Sequence, residues 1–242
     1  MRKKISMGIP LVLGAVTAFG AGSIVSSFQS PHYTGFPKGM AYHGGYLYHA
    51  SNSTYNRIYQ TTTTGSIVRT ITCPANTVGV EFTGTYFWTC SFSPTYTFQL
   101  TTTGSVIKSF FSPVATGITF DGTYLWGSTY GANTVYKLTT AGSVLSSFRG
   151  PASAVGGLDW AKGYIWLANR RSPFGVYRIT TAGSVVESYV PAPGASEPMG
   201  CAWNGNYLWY NNYIGAKYVY QIDTIITSIV PASLGKIKSI YR

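Results

Sequence analysis

Residues 117–148 read GITFDGTYLWGSTYGANTVYKLTTAGSVLSSF, four short alternating apolar runs separated by Gly, Asn, Asp and Thr turns. Apolar residues at every second position make one face of a strand, and the intervening residues are those of tight hairpin turns. The unit reads as four antiparallel strands, and its copies fill the chain. The GSVLSSF run recurs as GSIVSSF from Gly22, GSIVRTI from Gly65, GSVIKSF from Gly104 and GSVVESY from Gly183. The opening strand pair recurs as GMAYHGGYLYHA from Gly39, GVEFTGTYFWTC from Gly79, GLDWAKGYIWLA from Gly157 and GCAWNGNYLWYN from Gly200; the third strand recurs as RIYQ, TFQL, VYRI and VYQI. One such sheet cannot bury both of its faces. Copies about forty residues apart therefore stack face to face, and a ring of four-stranded sheets is a β-propeller.

The expected fold class is all-β, a β-propeller of four-stranded antiparallel blades. Five blades are expected. Six is the alternative if the partial copies ITSIV (226–230) and GKIKSI (235–240) build another. The aromatics agree with the ring. All six Trp fall on two repeat positions: Trp160 and Trp203 share one with Tyr42, Phe82 and Phe120, and Trp88, Trp126, Trp166 and Trp209 share the other with Tyr48. Large rings on a fixed register suit sheet-on-sheet packing, where they bury the most area per residue. The fourth strand has one copy too many. Either Ser23–Phe28 completes the last blade, or it is free and the chain self-associates through that terminal strand.

At GITFDGTYLWGSTYGANTVYKL the unit resembles NHL-type and related secreted propeller repeats, and the resemblance extends from Gly22 to about Ile229. It implies the propeller fold. For function it implies only a range, because such propellers include protein-binding, sugar-binding, scaffold and enzymatic members. The streptogramin lyase-like branch relies on His and acidic residues around a magnesium ion; this sequence has no matching constellation.

Arg2, Lys3 and Lys4 ahead of an apolar run from Ile5 to Phe19, followed by small residues, read as an export signal. The expected organisation is a signal peptide over 1–22 and a single propeller domain over 23–242, secreted to an extracellular or periplasmic space, with no stable membrane span in the mature chain. Charged residues are only 10% of the sequence, and the net charge of +11 is scattered rather than clustered. This points to anionic partners in general and away from nucleic acid. Three Cys leave an odd thiol; Cys73 and Cys90 are the candidate disulfide and Cys201 a buried apolar residue. With no CxxC and only three His, neither a metal site nor a cofactor is expected.

Propeller loops divide between two faces. The first-to-second and third-to-fourth turns are uniform (HGG, TGT, DGT, AKG, NGN; TTTTG, TTTG, TTAG), whereas the second-to-third and fourth-to-first loops vary. Variable loops on a uniform scaffold are where function concentrates. They place one aromatic per blade, Tyr55, Phe92, Tyr130, Phe174 and Tyr213, with Arg170, Arg171, Asn52, Asn169 and Asn212 nearby. Flat rings with amide and guanidinium groups suit a glycan, an anionic polymer or a protein at the cell surface. The leading expectation is thus a non-catalytic binding propeller using this face. The alternatives are a self-assembling surface protein, and a propeller lyase or glycosidase built on Glu81 and Asp159. These two acids share one repeat position on the innermost strands, where they are expected to be solvated channel residues out of contact with each other. No GxSxG or triad pattern supports a nucleophile.

Overall fold

The computed structural model describes residues 19–21, 23–31, 36–51, 56–151, 153–190 and 197–224. Most of the predicted export segment, His32, Asn52, Tyr55 and the C-terminal partial copies lie outside them. The chain begins with β1 (Phe19–Ala21) and β2 (Ser23–Gln29). Blade one is then β3 (Pro37–His43), β4 (Tyr46–Ser51), β5 (Arg57–Thr62) and β6 (Ile67–Thr72). Blade two is β7 (Thr77–Phe82), β8 (Phe87–Ser91), β9 (Tyr96–Leu100) and β10 (Val106–Phe111). Blade three is β11 (Gly117–Phe120), β12 (Leu125–Thr129), β13 (Thr134–Leu138) and β14 (Val144–Arg149). Blade four is β15 (Val155–Ala161), β16 (Tyr164–Asn169), β17 (Gly175–Ile179) and β18 (Val185–Val190). Blade five opens with β19 (Pro198–Trp203), β20 (Tyr207–Asn212) and β21 (Tyr218–Asp223). Five four-stranded antiparallel blades thus form a closed ring, as expected.

The N-terminal strand completes the ring. β2 pairs antiparallel with β21, Phe28 opposite Val219, giving blade five its fourth strand. The reading of a free terminal strand is corrected here: Ser23–Gln29 is hydrogen-bonded within its own chain, which removes an edge. β1 adds in parallel outside β18, so blade four carries a fifth strand.

The repeated TT–GS turn has a local cause. In blades one to four the hydroxyl of the Thr three residues before the Gly accepts the backbone N–H of the Ser after it: Ser66 to Thr62, Ser105 to Thr101, Ser143 to Thr139 and Ser184 to Thr180, all at 3.1 Å. The glycines between them hold φ from 86° to 97°, a region L side chains avoid. Blade five has no such hairpin, because its outer strand arrives from the other end of the chain.

The five blade interfaces are five apolar clusters, each built on the two aromatic repeat positions. The second-strand ring of one blade packs with the first-strand ring of the next: Tyr48 with Phe82, Trp88 with Phe120, Trp126 with Trp160, Trp166 with Trp203 and Trp209 with Tyr42. Trp166 and Trp203 stack with centroids 4.9 Å apart. Aligned ring pairs contribute about 0.5–1.5 kcal/mol beyond the area they bury.

The predicted Cys73–Cys90 bridge is not formed; both thiols are free and buried. They lie on opposite sides of blade two. Cys73 packs with Val80, Phe82 and Phe87 toward blade one, and Cys90 packs with Trp88, Ile118 and Leu125 toward blade three.

Candidate functional site

The innermost strands β3, β7, β11, β15 and β19 surround a central channel, and their glycines pinch it. A Cβ on Gly39 would lie 2.9 Å from Gly79 Cα, one on Gly117 2.8 Å from Gly157 Cα, and one on Gly157 2.9 Å from Gly200 Cα. On Gly200 a Cβ would meet Lys38 O at 2.4 Å. Backbone on backbone therefore closes the ring at the motif glycine of every blade. On either side the channel widens into a cavity, and the two cavities have opposite chemistry.

The cavity on the uniform-turn side, about 400 Å³, is walled by one aromatic at or next to the end of each inner strand: Tyr42, Phe82, Phe120, Trp160 and Trp203. His43 at the end of β3, and Thr83 and Asp121 from the turns, reach its rim. Glu81 and Asp159 lie in the same cavity, one residue further in along their strands. Both are buried, at 9% and 5% exposure, rather than solvated as the sequence suggests. Each spans two blades. Glu81 accepts hydrogen bonds from its own blade at Phe82 N (2.9 Å) and from blade three at the Thr119 hydroxyl (2.6 Å). Asp159 accepts one from blade five at Trp203 N (2.5 Å). Blade one and blade five carry Ala41 and Ala202 at this position, so the pair faces no other ionisable group from it.

Burial pushes the Glu81 carboxyl up to about 7 against the hydrogen bonds that favour its charge. Asp159 is raised well above the usual carboxylate range, first by burial and then by the negative charge of Glu81. The two acids line one cavity without bonding to each other: Glu81 is held by Phe82 N and Thr119, Asp159 by Trp203 N, and the Glu81 charge still reaches Asp159 and raises it. Asp121 is spent locally, accepting the Thr123 and Tyr124 backbone N–H and the Trp126 indole N–H. Among the described residues no three His, Cys, Asp or Glu side chains converge.

The cavity on the variable-loop side is about 290 Å³ and is lined by Lys38, Val78, Phe92, Thr116, Tyr130, Arg170, Met199 and Tyr213. Four predicted residues, Phe92, Tyr130, Arg170 and Tyr213, are thus brought together. Arg171 borders them, its guanidinium 5.4 Å from the Tyr130 ring centre. Phe174 stands 37% exposed outside the cavity lining. Asn212 is a correction: it is buried, donating to Ile214 O and accepting from Tyr218 N, so its amide holds the β20–β21 loop. Asn169 does the same for its loop, donating to Arg171 O and Pro173 O. Sequence reading missed Lys38, Val78, Thr116 and Met199. All four directly precede the inner-strand glycine; the register shifts there in β3, β7 and β19, so strict alternation does not aim them, and their fixed place before the repeat glycine is the signal that marks them.

No protein-family model matches the chain, and no curated protein matches it in sequence. Its fold is similar to the crystal structure of glutaminyl cyclase from Myxococcus xanthus, at TM-score 0.68 and 12% identity over 84% of this chain and 95% of that one. It is also similar to virginiamycin B lyase from Staphylococcus aureus bound to quinupristin, at TM-score 0.52 and 19% identity over 82% and 69%. A third is the PQQ-bound aldose sugar dehydrogenase from Streptomyces coelicolor, at TM-score 0.51 and 11% identity over 84% and 98%. At these identities the likeness carries the propeller fold; it does not extend to the narrower NHL-type resemblance. The expectation of a non-catalytic binding propeller is nevertheless overturned by this company of enzymes, with which the catalytic alternative accords better.

Proposed function

We propose that the chain is an enzyme of lyase type, exported by its N-terminal segment, in which Glu81 and Asp159 serve as general base and general acid. One observation carries this reading: two buried carboxyls lining the same aromatic-walled cavity. Near neutral pH such a pair shares a proton. Glu81, which accepts from Phe82 N and the Thr119 hydroxyl, is the carboxylate, and Asp159, raised by burial and by the Glu81 charge, holds the proton. The cavity then presents a proton donor and a proton acceptor to one small molecule, while the rings exclude water and stack on a flat or sugar-like face.

In an elimination, the ionised carboxylate takes the C–H proton, the C–H electrons form the double bond as the bond to the leaving group breaks with its electrons, and the protonated carboxyl protonates the departing group. No water or oxidant is consumed. The two carboxyls end with exchanged protons and reset through solvent at the cavity mouth. The Glu81 backbone bonds fix its carboxylate in place, so little reorganisation accompanies the step.

The test uses the full chain with quinupristin, an N-terminal glutaminyl peptide and a polyuronate as probes, followed by mass spectrometry. Turnover of one probe is expected, falling about 100-fold or more in Glu81→Gln and in Asp159→Asn. Undiminished turnover in the double variant, or no turnover of any probe by the folded chain, would count against the assignment.

A further inference from the structure

The variable-side cavity contains more positive charge than its own residues balance. Lys38 Nζ lies 4.9 Å and Arg170 Cζ 4.2 Å from the centre of the same Tyr213 ring. Arg170 Nε is 3.5 Å from Glu197 Oε2, and its Nη2 donates to the Tyr130 hydroxyl at 3.3 Å. Among the described residues Lys38 has no carboxylate within ion-pair distance. Two cations against one carboxylate leave the lining with an excess of about one positive charge, before Arg171 beside Tyr130 is counted. Burying like charges together without a counter-ion costs free energy, and Lys38 registers that cost: burial, and then the Arg170 charge, lower its pKa to about 8. Val78, Met199 and Phe92 give the lining its apolar part, and the Thr116 hydroxyl is engaged with Ser128 and Val155 O. The lining lies on the loop side of the inner-strand glycines and shares no residue with the cavity of the carboxyl pair.

We infer that this cavity is a binding site for a small organic anion, a carboxylate or a phosphate ester on an apolar body, held by Lys38 and Arg170 and packed against Tyr130, Tyr213 and Phe92. The anion supplies the charge that the lining lacks, and the rings take its apolar part. The site is independent of the carboxyl pair beyond the glycine ring, so it stands or falls separately from the catalytic reading.

Calorimetric titration of the full chain tests this with three probes of one shape: benzoate, phenyl phosphate and neutral benzamide. At least one of the anions should bind about tenfold or more tightly than benzamide, and which of them does so identifies the anionic group. Lys38→Met should weaken that binding about tenfold or more, with thermal unfolding reporting that the variant is folded. Among the described residues, Arg170 acts on the Lys38 charge and Tyr130 and Tyr213 share its lining, with Glu197 on Arg170, Arg171 on Tyr130 and Lys217 on the Phe36 ring that Lys38 also approaches. Lys38 loses its charge above its pKa, so affinity should fall about tenfold between pH 7 and pH 9. Lys38→Arg should retain binding and abolish that fall. Benzamide binding equal to the anions, no binding of either anion up to about 10 mM, or an unchanged pH fall in Lys38→Arg would each overturn the inference.

Discussion

The Glu81 carboxyl offers a direct measurement of the central site through folding stability. Its pKa rises from 4.5, the value expected of the unfolded chain, to about 7 in the folded one. Between those values the folded chain binds more protons than the unfolded chain, so stability falls as pH rises. Below the lower value the stability is fully present; through the upper one it is lost. At about 1.4 kcal/mol per unit, the loss amounts to about 3 kcal/mol. Asp159 adds to it in the same direction. Glu81→Gln removes the charge while keeping an oxygen for the Phe82 N–H, and the Thr119 hydroxyl can turn from donor to acceptor for the new amide. The variant should therefore match the wild type near pH 4.5 and exceed it at pH 8 by up to about 3 kcal/mol, a Tm rise of about 6–12 °C for a domain of this size. Thermal and urea unfolding across that range measure it. A variant less stable than wild type at pH 8, or two curves running parallel, would falsify the claim that Glu81 is held against ionisation.

Other consequences follow from the packing. Gly117→Ala forces a Cβ to within 2.6 Å of Gly156 O and should cost about 2 kcal/mol or more, whereas Gly131→Ala, with nothing within 4 Å, should stay within about 0.5 kcal/mol; differential scanning calorimetry compares them. Burial holds the Cys73 thiol at about 11 and Cys90 at about 12, so the native chain should resist iodoacetamide at pH 8, while unreduced denatured chain should show all three thiols. Two missing thiols would restore the disulfide. A chain starting at Ser30 leaves β21 as an open edge and strips Phe28 from Trp209, 6.3 Å away centre to centre. It should self-associate on size exclusion, and a peptide spanning 23–29 should restore the monomer.

The repeat made the propeller legible because the reason for it is local. Alternation writes the strands, TT–GS and DGT write the turns, and the two aromatic positions write an interface that each blade must share with the next. The closing strand was legible too, in a signal easily passed over: the GSIVSSF copy at Gly22 lacks the Thr pair that precedes every other copy, because no hairpin leads into it. Loop aromatics and arginines marked four members of the variable-side cavity for the same local reason, that loops are read residue by residue.

What tertiary structure alone decided are relations between distant blades. That Glu81 and Asp159 share one cavity depends on the width of a ring pinched by backbone contacts between glycines, a dimension no single repeat encodes. That Lys38 meets Arg170 depends on blade one approaching blade four across the channel, and that Cys73 and Cys90 stay apart depends on which side of blade two each faces. Sequence periodicity states what every blade does; only closure of the ring states which unlike residues, at equivalent positions in different blades, are brought face to face.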